Sequence, residues 1–122
     1  MDARLTGRWG EQQAARYLQK KGYSITAMNY TCRFGEIDIV AENRDYIVFA
    51  EVKLRKSSDV VRPLEYVTPA KQRRIIQTAE IYLMQHETEK QPRFDILEIT
   101  AREGIFTKRI SVNHLEDAFS DD

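Results

Sequence analysis

An α/β sandwich, with a mixed central β-sheet flanked by α-helices, is the fold the sequence predicts, and two observations carry it. The elements read in the order helix, three strands, helix, two strands, so the second helix can serve as the crossover that returns the chain to the sheet. The middle strands, Glu36 to Glu42 and Tyr46 to Lys53, are apolar on both faces, the pattern of strands covered on both sides. With 122 residues, 42% of them hydrophobic and 31% charged, the chain suits one compact domain over residues 1–122.

The first helix is expected from Thr6 to Gly22. Glu11, Ala14, Ala15 and Leu18 follow the i, i+3, i+4, i+7 spacing, while Lys20, Lys21 and Gly22 supply end cations and a stop. Tyr23 to Tyr30 is rich in strand formers, and Thr31 to Gly35 turns the chain into the next hairpin. Leu54 to Val67, with Ser57, Ser58 and Pro63, reads as an irregular basic loop near a substrate. Thr68 and Pro69 read as N-cap and first residue of a helix running to about Gln85, with Gln72, Ile75, Ile76, Ala79 and Tyr82 or Leu83 facing inward. Arg93 to Thr100 and Ile105 to Val112 form a hairpin around Glu103 and Gly104, and Asn113 to Phe119 reads as a short helix whose Leu115 and Phe119 close the core.

The central hairpin holds the chemistry. A turn centred on Arg44 and Asp45 pairs Asp38 with Glu51 and Glu36 with Lys53, and the alternation of side chains puts all four on one face. Ile37, Ile39, Ala41, Val48, Ala50 and Val52 take the other face. A salt-bridge ladder on a solvated sheet would explain Glu36 and Lys53. It leaves Asp38 and Glu51 as like charges directly opposite each other, which is unfavourable unless a cation or a shared proton lies between them. Carboxylates held close among apolar neighbours are what a divalent metal such as Mg²⁺ requires. Glu11, on the inward face of the first helix, is a third candidate carboxylate, and Gly7 and Gly10 allow close backbone approach beside it.

Composition removes several other classes. Cys32 is the only cysteine, which excludes an internal disulfide and thiolate clusters, and with His86 and His114 as the only histidines a zinc site would need several carboxylates. No apolar run approaches a membrane span and the first residues lack the apolar core of a secretory signal, so a soluble cytoplasmic protein is expected. Net charge is zero but unevenly spread. Between residues 53 and 74, Lys53, Arg55, Lys56, Arg62, Lys71, Arg73 and Arg74 meet only Asp59 and Glu65, which could set phosphate-binding groups beside the carboxylates.

Asp38 followed by Glu51-Val52-Lys53 on the next strand, with an acidic helix before them, resembles the PD-(D/E)XK nucleases of the restriction-endonuclease-like fold, in an arrangement similar to the archaeal Holliday-junction resolvases. Gly7 to Glu11, Ala14-Ala15, Asn29-Tyr30, Phe34 to Asp38, Phe49 to Lys53, Thr68 to Gln72 and Arg93 to Asp95 together resemble the YraN-like family of uncharacterised bacterial proteins. Two features depart from these patterns. Ile37 replaces the superfamily's proline, and Ser57 to Arg62 lacks a Phe-Gly pair.

The resemblance implies a restriction-endonuclease-like three-layer sandwich and a metal-dependent endonuclease that hydrolyses DNA phosphodiester bonds, at branched or junction DNA. Glu11, Asp38, Glu51 and Lys53 would form the active site, with Mg²⁺, or Mn²⁺ in its place, held by Asp38, Glu51 and the Val52 carbonyl. Lys53 would orient the attacking water or offset charge on the pentavalent transition state. Glu36, opposite Lys53 on the same face, is open between holding that amine and a fuller part in the site, and Asp95 is expected to be structural, paired with Arg93 or another basic group. Arg8, Arg55, Lys56, Lys71 and Arg74 are candidates for phosphate contacts with double-stranded or branched DNA, and a homodimer fits by analogy. A catalytically silent nucleic-acid-binding or accessory protein of the same fold is the alternative, and a structural domain that merely binds Mg²⁺ is a third.

Overall fold

The computed structural model describes residues 7–55, 63–103 and 108–121. Residues 56–62, with Lys56 and the expected loop from Ser57 to Arg62, and residues 104–107, with Gly104 and the expected strand start at Ile105, lie outside the described residues. Helix α1 spans Gly7–Lys20; strands β1, β2 and β3 follow at Ser24–Cys32, Gly35–Glu42 and Tyr46–Arg55. A 3-10 turn at Pro63–Tyr66 leads into α2, Pro69–Gln85, and the chain ends with β4, Gln91–Glu103, and β5, Lys108–Phe119.

The five strands form one sheet in the order β1-β2-β3-β4-β5. Among the described strands β3 and β4 alone run parallel, joined by the crossover through α2. The helices cover opposite faces, which gives the three layers of a restriction-endonuclease-like sandwich. Ala14 and Leu18 of α1 pack with Ile39, Ala41, Val48, Ala50, Leu97 and Ile99. Ile75, Ile76, Ala79 and Tyr82 of α2 pack with Val40, Ile47, Phe49, Phe94 and Ile96. Central strands buried on both faces explain why β2 and β3 read as nearly continuous apolar runs.

Local chemistry sets the boundaries. Thr68 caps α2 by accepting the Lys71 N–H at 3.2 Å, and Pro69 follows where no N–H is needed. Gly22, at φ 96°, ends α1 as a left-handed stop. Asn43 closes the β2–β3 turn through its side-chain oxygen, which accepts the N–H groups of Asp45 and Tyr46.

Two expectations are corrected. Asn113 to Phe119 is not a helix: β5 runs on to Phe119, which pairs with Phe94. The helix-like spacing of Leu115 and Phe119 comes from a bulge, where Glu116, Asp117 and Ala118 of β5 oppose Asp95 alone. Asp117 takes φ 53° there and donates its N–H to Asp95 Oδ1 at 3.0 Å. Ile37 does not share a face with Ile39. It packs in the α2-side cluster: the alternation breaks at Asp38, between the pairs Met28/Ile39 and Tyr30/Ile37, where Asn29 of β1 takes φ 52° and where β2 has already left β3 after Ile39/Ala50.

Asp95 and Arg93 are paired, with Asp95 fully buried and Arg93 nearly so. Arg93 donates to both Asp95 oxygens, at 2.9 and 2.8 Å, and to Tyr23 Oη at 2.6 Å. His114 Nε2 lies 2.7 Å from Asp95 Oδ2, while its Nδ1 lies 3.2 Å from Tyr17 Oη. Burial alone would raise the Asp95 carboxyl, but the His114 and Arg93 hydrogen bonds outweigh it and hold the group below its ordinary range. This network ties β4, β5 and α1 to Tyr23, in the connection between α1 and β1.

Candidate metal and phosphate site

The site forms where β2 leaves β3. The pairing of these strands runs no further than Ile39/Ala50, so the expected cross-strand pairs Asp38/Glu51 and Glu36/Lys53 are absent from the ladder. In their place Asp38 turns into the opening and accepts the Val52 N–H through Oδ2 at 2.8 Å. The N–H and C=O of a strand residue leave by the same edge, so the Val52 carbonyl also faces the opening.

A gap between strands is reachable from both layers. From one side, the start of α1 lies over β3, where a Cβ at Gly10 would sit in ordinary contact with the Val52 and Leu54 side chains, and Glu11 comes to the opening beside it. From the other side, the first turn of α2 delivers Lys71, whose Nζ lies 2.7 Å from Glu51 Oε1. Glu11, Glu36 and Asp38 can each place a carboxylate oxygen within 4.8 Å of the others. Glu36, expected opposite Lys53, is therefore an acidic neighbour of Asp38. Glu51, only 6% exposed, and Lys53 follow on the α2 side of β3. Gly35, Glu36, Asp38, Glu51, Lys71, Arg74 and Ile75 line an open cavity of about 440 Å³.

Electrostatics here are strained towards a cation. Burial first, and then the Glu51 charge, push the Asp38 carboxyl up to about 7 against the pull of the Val52 N–H; Glu11 and Glu36 push the same way. Burial and the neighbouring Lys71 charge hold the Lys53 amine below its ordinary value, although Glu51 and Asp38 oppose them. Lys71 is raised: burial disfavours its charge, and the hydrogen bond and charge of Glu51 outweigh that. The donors around Asp38 are hard oxygens without cysteine or histidine, which fits Mg²⁺ or Mn²⁺ and not a thiolate-seeking metal.

The proposed phosphate contacts have different positions. Arg8 is exposed on the first turn of α1, and Arg74 is exposed at the cavity. Arg55 Nη1 pairs with Glu98 Oε1 at 3.2 Å. Glu98, in register with Lys53 and 2% exposed, is a buried acid that the sequence reading missed. Its signal was the single charge in the alternation Phe94, Ile96, Glu98, Thr100.

Fold and site define a three-layer α/β protein of restriction-endonuclease-like architecture, with carboxylates and lysines gathered at a break in its sheet. The chain belongs to the uncharacterised protein family UPF0102, whose match covers residues 10–99, in agreement with the YraN-like motifs. It is 40% identical over 120 residues to a UPF0102 protein of Caldanaerobacter subterraneus subsp. tengcongensis, covering 98% of each chain. It is 45% identical over 116 residues to one from Prosthecochloris aestuarii, covering 93% of this chain and 91% of that one. A Myxococcus xanthus relative is 37% identical over 119 residues, covering 97% of this chain and 91% of its own. Among the described residues no helix is long and apolar enough to cross a membrane.

Proposed function

We propose that this protein is a metal-dependent endonuclease that hydrolyses DNA phosphodiester bonds, with branched or junction DNA as the substrate class. The observation that carries the reading is Asp38, fixed by the Val52 N–H in an opening where Glu11, Glu36 and Glu51 also converge. Such a concentration of acid is costly without a cation, and perturbed groups of this kind concentrate at functional sites.

Asp38, Glu51 and the Val52 carbonyl would hold Mg²⁺ or Mn²⁺, with Glu11 and Glu36 bordering them. When bound, the ion would supply Lewis-acid polarisation of the phosphate and a more acidic water. Lys53, whose amine burial and the Lys71 charge hold below its ordinary value, would orient the attacking water or offset charge on the pentavalent phosphorus. Arg74 and Arg8 would take flanking phosphates, as would Lys71 when not engaged by Glu51, and two copies could cut two strands.

A second reading has one observation in its favour. Lys71 already neutralises Glu51 at 2.7 Å, as it would in an accessory protein that binds nucleic acid without cutting it. The two separate on end-labelled duplex, single-stranded, flap and four-way-junction DNA incubated with Mg²⁺ or Mn²⁺, with Glu51→Ala purified identically. Cleavage by the unaltered protein alone is the expected result. Binding without cleavage, in folded protein, would select the accessory role.

A further inference from the structure

Lys71 occupies the third helical position of α2, and Thr68 fixes its backbone by accepting its N–H. From there the side chain extends to Glu51, a nearly buried carboxylate that would be costly without a counter-charge. The remaining acids of the opening are in a different condition. Among the described residues no ion pair engages Glu11, Glu36 or Asp38. The site thus has one carboxylate neutralised by an internal cation and three that are not.

Lys71 is also placed to leave. Its side chain is 36% exposed, against 7% for Glu51, and it borders the same open cavity as Arg74. An ammonium at Glu51 and a divalent ion shared between Glu51 and Asp38 would compete for the same oxygens and repel each other.

We propose that Lys71 is a displaceable counter-ion: it holds Glu51 in the metal-free protein, a divalent cation drives it off, and the released ammonium turns into the cavity towards a substrate phosphate. This rests on the metal-dependent reading above and adds an order of events to it. Metal entry and phosphate capture become one exchange, in which a cation arriving at Glu51 frees another for the substrate. Linkage is reciprocal, so whatever holds Lys71 away from Glu51, a phosphate included, tightens metal binding.

The test is Mn²⁺ binding to the purified protein without DNA, measured by calorimetry and by the electron paramagnetic resonance of free Mn²⁺. Lys71→Gln and Lys71→Met remove the charge; Lys71→Arg keeps it. Both neutral variants are expected to bind Mn²⁺ more tightly by about tenfold, within the usual range of a coupling between two ligands. Lys71→Arg should stay near the unaltered protein. In a Glu51→Gln background the gain from Lys71→Gln should vanish. Equal or weaker binding by the neutral variants, a gain that persists without the Glu51 charge, or no binding by any variant would each overturn the proposal. Because no DNA is present, a protein that proves unable to cut still returns an answer.

Discussion

Asp38 Oδ2 accepts the Val52 N–H at 2.8 Å, one residue past the last pair that β2 makes with β3. A side chain replaces the backbone as the partner of that N–H, and the carboxylate is thereby fixed in the gap.

The first prediction concerns pH. Burial and the Glu51 charge raise the Asp38 carboxyl from its ordinary range to about 7 in the fold, so the native state favours the protonated form. Its contribution to stability is complete below about pH 4 and is lost as pH rises through about 7. Metal-free protein should therefore lose stability across this window, and Mg²⁺ should restore it at pH 8. Asp38→Asn keeps an acceptor for Val52 and should stabilise the metal-free protein at pH 8 by about 1–2 kcal/mol. Thermal melts in chelator between pH 4 and 8 check this; an unchanged pH slope in Asp38→Asn would remove Asp38 as its source.

A second prediction separates chemistry from binding. Lys53→Met should lower the cleavage rate by about 10²–10³-fold, the size of losing one transition-state contact. Its Mn²⁺ affinity should not weaken, since a positive neighbour is removed. Single-turnover cleavage at saturating Mn²⁺, alongside calorimetry, reads both.

The buried network far from the opening makes a third. Asp95→Ala strands Arg93 and releases the Asp117 N–H, and should cost about 3–5 kcal/mol in urea unfolding. A loss under about 1 kcal/mol would mean the network is not the anchor described here.

The basic residues should divide into two kinds. Arg74→Gln should lower the slope of log binding against log salt by about 1, as expected for one phosphate contact. Arg55→Gln should act mainly on stability, by roughly 3 kcal/mol, because it removes the partner of buried Glu98. Fluorescence anisotropy on labelled DNA at several salt concentrations, with melts of the same proteins, distinguishes them.

Much of this was legible in the sequence. The cap at Thr68, the stop at Gly22 and the stripes of α1 and α2 are local, and local rules found them. Turn position also fixed the β2–β3 register from Ile39/Ala50 to Glu42/Ile47. What escaped were non-local events. Period-two alternation assumes that pairing continues, so it misplaced Ile37 and set Glu36 against Lys53; nothing in residues 36–38 announces that β2 departs. The β5 bulge hid in the same way, since the carboxylate that receives the Asp117 N–H comes from another strand. Lys71 was marked for charge, but its partner Glu51 lies across a helix–sheet contact that spacing on α2 cannot reveal.

The ladder between β2 and β3 is short, whereas β3 and β4 stay bonded from Tyr46/Gln91 to Arg55/Thr100. The β1–β2 hairpin is thus the more lightly fastened part of the sheet, and the acids are divided across the seam: Glu36 and Asp38 on one bank, Glu51 and Lys53 on the other. A ligand gripping both banks would act as a clasp. Amide protons of β1 and β2 would then exchange more slowly in its presence, while those of β4, already locked between neighbours, would hardly notice.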